Sequence, residues 1–136
     1  MRAIAVLMAG AVLASCMGVP PTPTRTAERQ RDYELALLGK VPQPSVSCLP
    51  SYQSGDMKTI DESTIIFRQG SSRVWVNHMQ APCPGLGEGH YALVTHQFGG
   101  QGLCRGDIAQ MVDTVSRIPA GSCVFGDFTP YVRPRV

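Results

Sequence analysis

Five cysteines, three histidines and ten carboxylates are the side chains of this 136-residue chain whose types can do chemistry. Cys48, Cys83, Cys104 and Cys123 are widely separated, and none forms the close Cys-x-x-Cys pair that a thiolate zinc site uses. An even number of such thiols in an oxidising compartment reads as two disulfides. Spacing does not choose among the three possible pairings. The arrangement expected here joins Cys83 to Cys104 across a glycine-rich middle, and Cys48 to Cys123 between the opening and closing segments of a sheet. His78, His90 and His96, with Glu88, fit no compact ligand pattern, so no metal and no cofactor is expected. Asp107, Asp113 and Asp127 are scattered and Asp61-Glu62 reads as a turn, which leaves no carboxylate pair for acid–base catalysis. A Gly-x-Ser-x-Gly nucleophile elbow is also lacking, so an enzyme is not expected. Trp75, His78, His90 and Tyr91 are the candidates for a ligand or partner surface, because aromatic and imidazole groups line apolar pockets with a few polar handles.

Two short motifs have simpler explanations than their spelling suggests. Gly85-Leu86-Gly87-Glu88-Gly89 superficially resembles a phosphate-binding loop, but no helical pattern follows to receive an anion at its N-terminus. A flexible crossing between sheet segments is expected there. Arg105-Gly106-Asp107 spells the tripeptide that integrins read, yet it sits between a cysteine and an apolar run. A tight turn is expected, with glycine supplying the backbone angles and aspartate bonding the local backbone.

The elements that must position these residues are short. One helix is predicted from Thr26 to Leu38, with Leu35 and Leu38 three apart, Tyr33 and Leu37 four apart, and Gly39 placed to end it. Arg25, Arg29 and Arg31, interleaved with Glu28 and Asp32, read as its solvated face. A helix of this length is marginal alone, so it docks or frays. Val41-Pro42-Gln43-Pro44 reads as a linker. Strand-forming runs then follow at Met57 to Asp61, Thr64 to Arg68, Arg73 to His78, Tyr91 to His96, Ile108 to Val115 and Cys123 to Phe128, punctuated by turn residues such as Gly99-Gly100-Gln101-Gly102. In Arg73-Val74-Trp75-Val76-Asn77 the alternation puts the valines on one side and Trp75 on the other. The expected fold is mainly β: a small antiparallel meander forming a barrel or sandwich, stapled by two disulfides.

The N-terminus reads as export. Arg2, an apolar run from Ala3 to Leu13 and small residues before Cys16 form a signal sequence whose apolar part is too short to span a bilayer as a helix. Leu13-Ala14-Ser15-Cys16 resembles the lipobox of bacterial lipoproteins, in which the thiol receives diacylglycerol and the preceding peptide bond is cut. Met17, in place of the aspartate that retains lipoproteins in the inner membrane, implies the outer membrane, facing the periplasm. The proline- and threonine-rich run from Val19 to Thr24 reads as a stiff spacer. The expected organisation is a signal peptide over 1–15, a lipidated N-terminus with spacer and helix over 16–47, a disulfide-bonded β domain over 48–130 and a tail over 131–136. Removing Arg2 from twelve basic residues leaves eleven against ten acidic ones, so no basic stripe for nucleic acid is expected.

Cys48-Leu49, Trp75-Val76-Asn77, Cys83-Pro84-Gly85-Leu86, Leu103-Cys104-Arg105-Gly106-Asp107 and Gly121-Ser122-Cys123-Val124-Phe125-Gly126-Asp127-Phe128 resemble the landmarks of an uncharacterised family of small exported proteobacterial proteins with four ordered cysteines. The resemblance covers roughly Cys48 to Pro130. It implies a common fold and export, and it carries no activity. The expected function is a non-enzymatic binding or structural module, held to the membrane by lipid and meeting an envelope partner. One alternative is an inhibitor of an envelope-directed enzyme, since the chain is similar in size and style to lysozyme-inhibitor lipoproteins. It lacks their Ser-Gly-x-x-Tyr loop. The other is a small-ligand-binding barrel.

Overall fold

A computed structural model describes residues 25–50, 55–96 and 102–135. The signal sequence, the lipidation at Cys16, the Val19–Thr24 spacer and most of the Gly99–Gly102 turn lie outside the described residues.

Thr26 caps helix α1 (Ala27–Leu37), its hydroxyl accepting the Arg29 backbone N–H at 3.3 Å, and Gly39 closes the exit with φ of +69°. The helix docks. At 100° per residue Tyr33, Ala36 and Leu37 share one side, and these pack on the sheet, whereas Leu35 and Leu38 fall opposite and are 59% and 68% exposed. Of the two spacings that mark the helix, Tyr33 with Leu37 is therefore the docked one and Leu35 with Leu38 the exposed one. Charged anchors help choose the face. Arg29 donates to the Gly87 carbonyl and Asp32 accepts Lys58 Nζ at 2.7 Å, so this side of the helix is tied down rather than solvated.

The strands are β1 (Val41–Pro42), β2 (Cys48–Leu49), β3 (Met57–Thr59), β4 (Thr64–Gln69), β5 (Arg73–His78), β6 (Tyr91–Thr95), β7 (Leu103–Cys104), β8 (Ile108–Asp113), β9 (Pro119–Val124) and β10 (Phe128–Val132). All described pairings are antiparallel: a five-stranded sheet in the order β1-β10-β5-β4-β3, a three-stranded sheet β6-β8-β9 and the pair β2-β7. Val41-Pro42 is thus an edge strand on β10, not the expected linker. Proline is tolerated there because an edge leaves one row of backbone groups unpaired anyway.

Both faces of β4 and β5 are buried, which explains why polar alternation is weak in their sequences. Ile66, Val74 and Val76 lie under α1, and Ile65, Phe67 and Trp75 face the main core with Met111, Cys123, Phe125 and Phe128. The fold is mainly β, as expected, and takes the sandwich alternative: among the described residues no sheet closes into a barrel. Nor is it a plain meander, since β10 returns to lie between β1 and β5.

The run expected as one strand from Cys123 to Phe128 is two strand ends and a corner. β9 stops at Val124, residues 125–127 cross between the sheets, and β10 starts at Phe128. Asn77, fully buried, holds that corner. Its Nδ2 donates to the carbonyls of Gly126 and Asp127 at 2.8 and 3.2 Å, and its Oδ1 accepts the Gly126 N–H at 3.3 Å. Gly126 must be glycine, because a Cβ there would lie 2.1 Å from the His78 carbonyl oxygen.

Two disulfides are present, with the pairing corrected: Cys48 joins Cys104 and Cys83 joins Cys123. Partner choice follows strand neighbours. Cys48 stands directly opposite Cys104 in the β2-β7 ladder, while Cys123 on β9 points into the core beside Cys83 of the loop after β5. Closure between the chain's first and last strands, which the expected pairing assumed, falls instead to β1 and β10, which carry no cysteine.

Candidate functional site

Register builds the site. Paired residues in neighbouring strands point to the same face, so Val41, Val132 and Arg73 form one row across β1, β10 and β5, and Pro130, Trp75 and Phe67 form the next. Phe67, Trp75 and Pro130 are buried, whereas Val41 and Arg73 at the sheet's end are exposed. The result is an open groove of about 900 Å³, walled by β1 and by the segment that leaves β10. Arg73, Arg133 and Arg135 line it together with Gln43, Val132 and one edge of Trp75. Arg133 is set by its backbone N–H, which donates to the Ser72 carbonyl at 3.1 Å. The Arg73 guanidinium carbon sits 5.8 Å from the centre of the Trp75 ring. Trp75 is only 7% exposed, and its indole nitrogen is enclosed with no hydrogen-bond partner among the described residues. An apolar and aromatic edge with convergent polar groups is what a binding groove needs; among the described residues that line it there is no His, Cys, Asp, Glu or Lys.

A second polar cluster lies on the other side of β5. Arg25 reaches from the entrance of α1 to the carboxylate of buried Asp61, to Thr64 Oγ1 at 3.1 Å and over the Tyr33 ring at 4.3 Å. His78 Nδ1 lies 3.3 Å from the same Thr64 hydroxyl. Partial desolvation holds the His78 imidazole below its ordinary value; Arg25 pushes the same way and Asp61 opposes. Burial, aided by Tyr131, raises the Tyr33 phenol. The residue types suggest hydrolysis, but the geometry does not. Asp61 bonds Arg25 and the Ser63 N–H rather than His78, and the Thr64 hydroxyl is fully covered. This is a latch that fixes the helix entrance to the sheet.

The four expected surface residues are not brought together. Trp75 faces the groove and core, and His78 faces the latch. His90 lies in the bend just before β6, its carbonyl accepting both the backbone N–H and the hydroxyl of Thr114. Tyr91 packs where a Gly85 Cβ would stand, 2.8 Å from its ring. Among the described residues no three of His, Cys, Asp and Glu gather where a metal could be held. Arg105–Asp107 is a tight turn: Gly106 has φ of +90°, and Asp107 Oδ2 accepts the Cys104 N–H at 2.7 Å. The Gly85–Gly89 loop crosses between sheet segments, and Arg29 donates to its Gly87 carbonyl. Sequence reasoning missed Arg133 and Arg135, for which Arg133-Pro134-Arg135 was the available signal, and it missed Arg25 and Asp61, for which no local signal exists.

The two disulfides mark an oxidising, extracytoplasmic compartment. Among the described residues no helix is long and apolar enough to cross a membrane. Comparison with known proteins finds no match: no family model, no curated protein and no solved structure aligns with the chain.

Proposed function

We propose that this protein is a non-enzymatic binding module of the bacterial envelope, lipid-anchored at Cys16 to the outer membrane and facing the periplasm. It shares its cysteine order with the uncharacterised exported family it resembles. The observation that carries the binding role is the groove beside Trp75, an open concavity of about 900 Å³ that joins the edge of an aromatic ring to three arginines. The latch supports the tethered role. Arg25 clamps the helix entrance to the sheet right after the expected spacer, so a pull on the tether is borne by the buried Asp61 pair rather than by a fraying helix.

The test uses intact cells. Palmitate labelling is expected in the wild type and lost in Cys16→Ser, with the variant released to the soluble periplasmic fraction. A photocrosslinking residue at Ser72, on the groove, is expected to give a discrete adduct that the same residue at Ala92, on β6, does not. An unprocessed, unacylated chain in the cytoplasm would overturn the anchor, and identical adduct patterns from both positions would overturn the binding groove.

One observation favours a second reading, inhibition of an envelope-directed enzyme such as lysozyme. The β8–β9 hairpin presents Val115 and Ile118, 89% and 64% exposed, on a tip braced by Asp113, whose Oδ1 accepts from the N–H groups of Val115 and Ser116 and the Ser116 hydroxyl. Those bonds hold the Asp113 carboxyl below the usual range. A rigid projecting tip suits a concave enzyme cleft. Undiminished lysozyme activity at large molar excess of the protein rejects this reading.

A further inference from the structure

The groove is one-sided in its charge. Guanidinium groups donate and cannot accept, so Arg73, Arg133 and Arg135 supply cationic donors, while Gln43 and Ser72 add neutral groups that both donate and accept. Among the described residues no carboxylate lines the groove, and none of these three arginines forms an ion pair. Val41, Pro130 and Val132 contribute apolar surface to the same walls. A complementary ligand must bring oxyanions, for which the guanidinium fork is shaped, and apolar groups between them.

The spacing of the arginines narrows the class. The arginines come from separate places, Arg73 from β5 and Arg133 and Arg135 from alternate positions of the tail, so they suit several spaced charges better than one compact anion. The groove also lies at the end of β5 away from the tether. Arg25 meets Thr64, the register partner of His78 at one end of that strand, and Arg73 is at the other end, about 17 Å away at the rise of a β-strand. The groove and the point where the chain enters the domain are thus at opposite ends of one strand.

We propose that the groove binds an extended acidic peptide segment, with carboxylates on Arg73, Arg133 and Arg135 and apolar side chains over Val41, Val132 and the edge of Trp75. This rests on the binding-module reading and deepens it by naming the ligand chemistry.

Trp75 is the only tryptophan, so its emission reports the groove directly. The full chain, in a non-ionic detergent at low ionic strength, is titrated with an acetylated hexapeptide of alternating glutamate and leucine. A saturable change in emission is expected, with the glutamine–leucine peptide at least about tenfold weaker and the affinity falling as salt is added. The double variant Arg73→Gln/Arg133→Gln is expected to lose about tenfold in affinity while its thermal unfolding stays unchanged, since both side chains are exposed. Equal affinity for the glutamine peptide, indifference to the double variant, or no saturation below about 1 mM overturns the proposal. So does a response to inorganic phosphate or phosphatidylglycerol vesicles with none to the peptide. If the peptide fails while the Ser72 crosslink still captures a discrete species in cells, the ligand class is wrong and the binding module stands.

Discussion

Replacing Asn77 with alanine tests the corner on which the two sheets depend. The side chain is fully buried and serves three backbone groups: the carbonyls of Gly126 and Asp127 and the N–H of Gly126. Alanine removes the partner of the Gly126 N–H and C=O, both inside a buried residue where water does not replace it. Each group left unsatisfied costs about 1–3 kcal/mol, and the lost amide leaves a small void as well, so a total near 3–4 kcal/mol is expected. That is a large part of the about 5–15 kcal/mol that holds a domain folded. The assay is urea unfolding with the disulfides intact, in which the midpoint should fall by about 2–4 M at an unchanged slope of about 1–1.5 kcal/mol per M. Gln80→Ala is the comparator. Gln80 also donates to this corner, to the Phe125 carbonyl at 3.0 Å, but from an exposed position where water substitutes, so a loss of about 1 kcal/mol is expected. If Asn77→Ala loses no more than Gln80→Ala, the corner is not held as described.

The remaining predictions concern the bridges, the latch and pH. A non-reducing digest should yield the cross-linked peptides Cys48–Cys104 and Cys83–Cys123, and each serine pair substituted for a bridge should lose about 4 kcal/mol by loop entropy, given separations of 56 and 40 residues. Recovery of a Cys48–Cys123 peptide would reject the strand pairing. Arg25→Gln leaves the Asp61 carboxylate 3% exposed without its cation, so about 2–4 kcal/mol should be lost and amide exchange in α1 should speed up; adding Asp61→Asn should recover part of the loss. No change in exchange would mean the helix is held by its apolar contacts alone. For His78, whose folded value lies below the ordinary 6.5, the unfolded chain takes up the proton first. Its contribution is therefore complete above pH 6.5 and is lost as pH falls below it, so the unfolding temperature should drop on acidification, less steeply in His78→Gln. Parallel pH profiles for the two proteins would refute this.

Much of the fold was legible in the sequence because it depends on local chemistry. Thr26 and Gly39 bound the helix through their own cap geometry, and the runs 64–68 and 73–78 are strands because β-branched and aromatic residues lie between turn residues. The even count of the cysteines after Cys16, read with an export signal, was enough for two bridges. Other features depend on which segments meet, and no window of sequence contains that. The disulfide partners, the burial of both faces of β5 beneath α1 and β8, and the role of Arg25 as an anchor all follow from long-range packing. The same holds for the groove. Trp75 and Arg133 are 58 residues apart by their numbering and share a wall only because β10 returns to lie against β5 in one register. Side-chain types and spacings set what each segment can form; the free energy of burying apolar surface between distant segments sets which of them become neighbours.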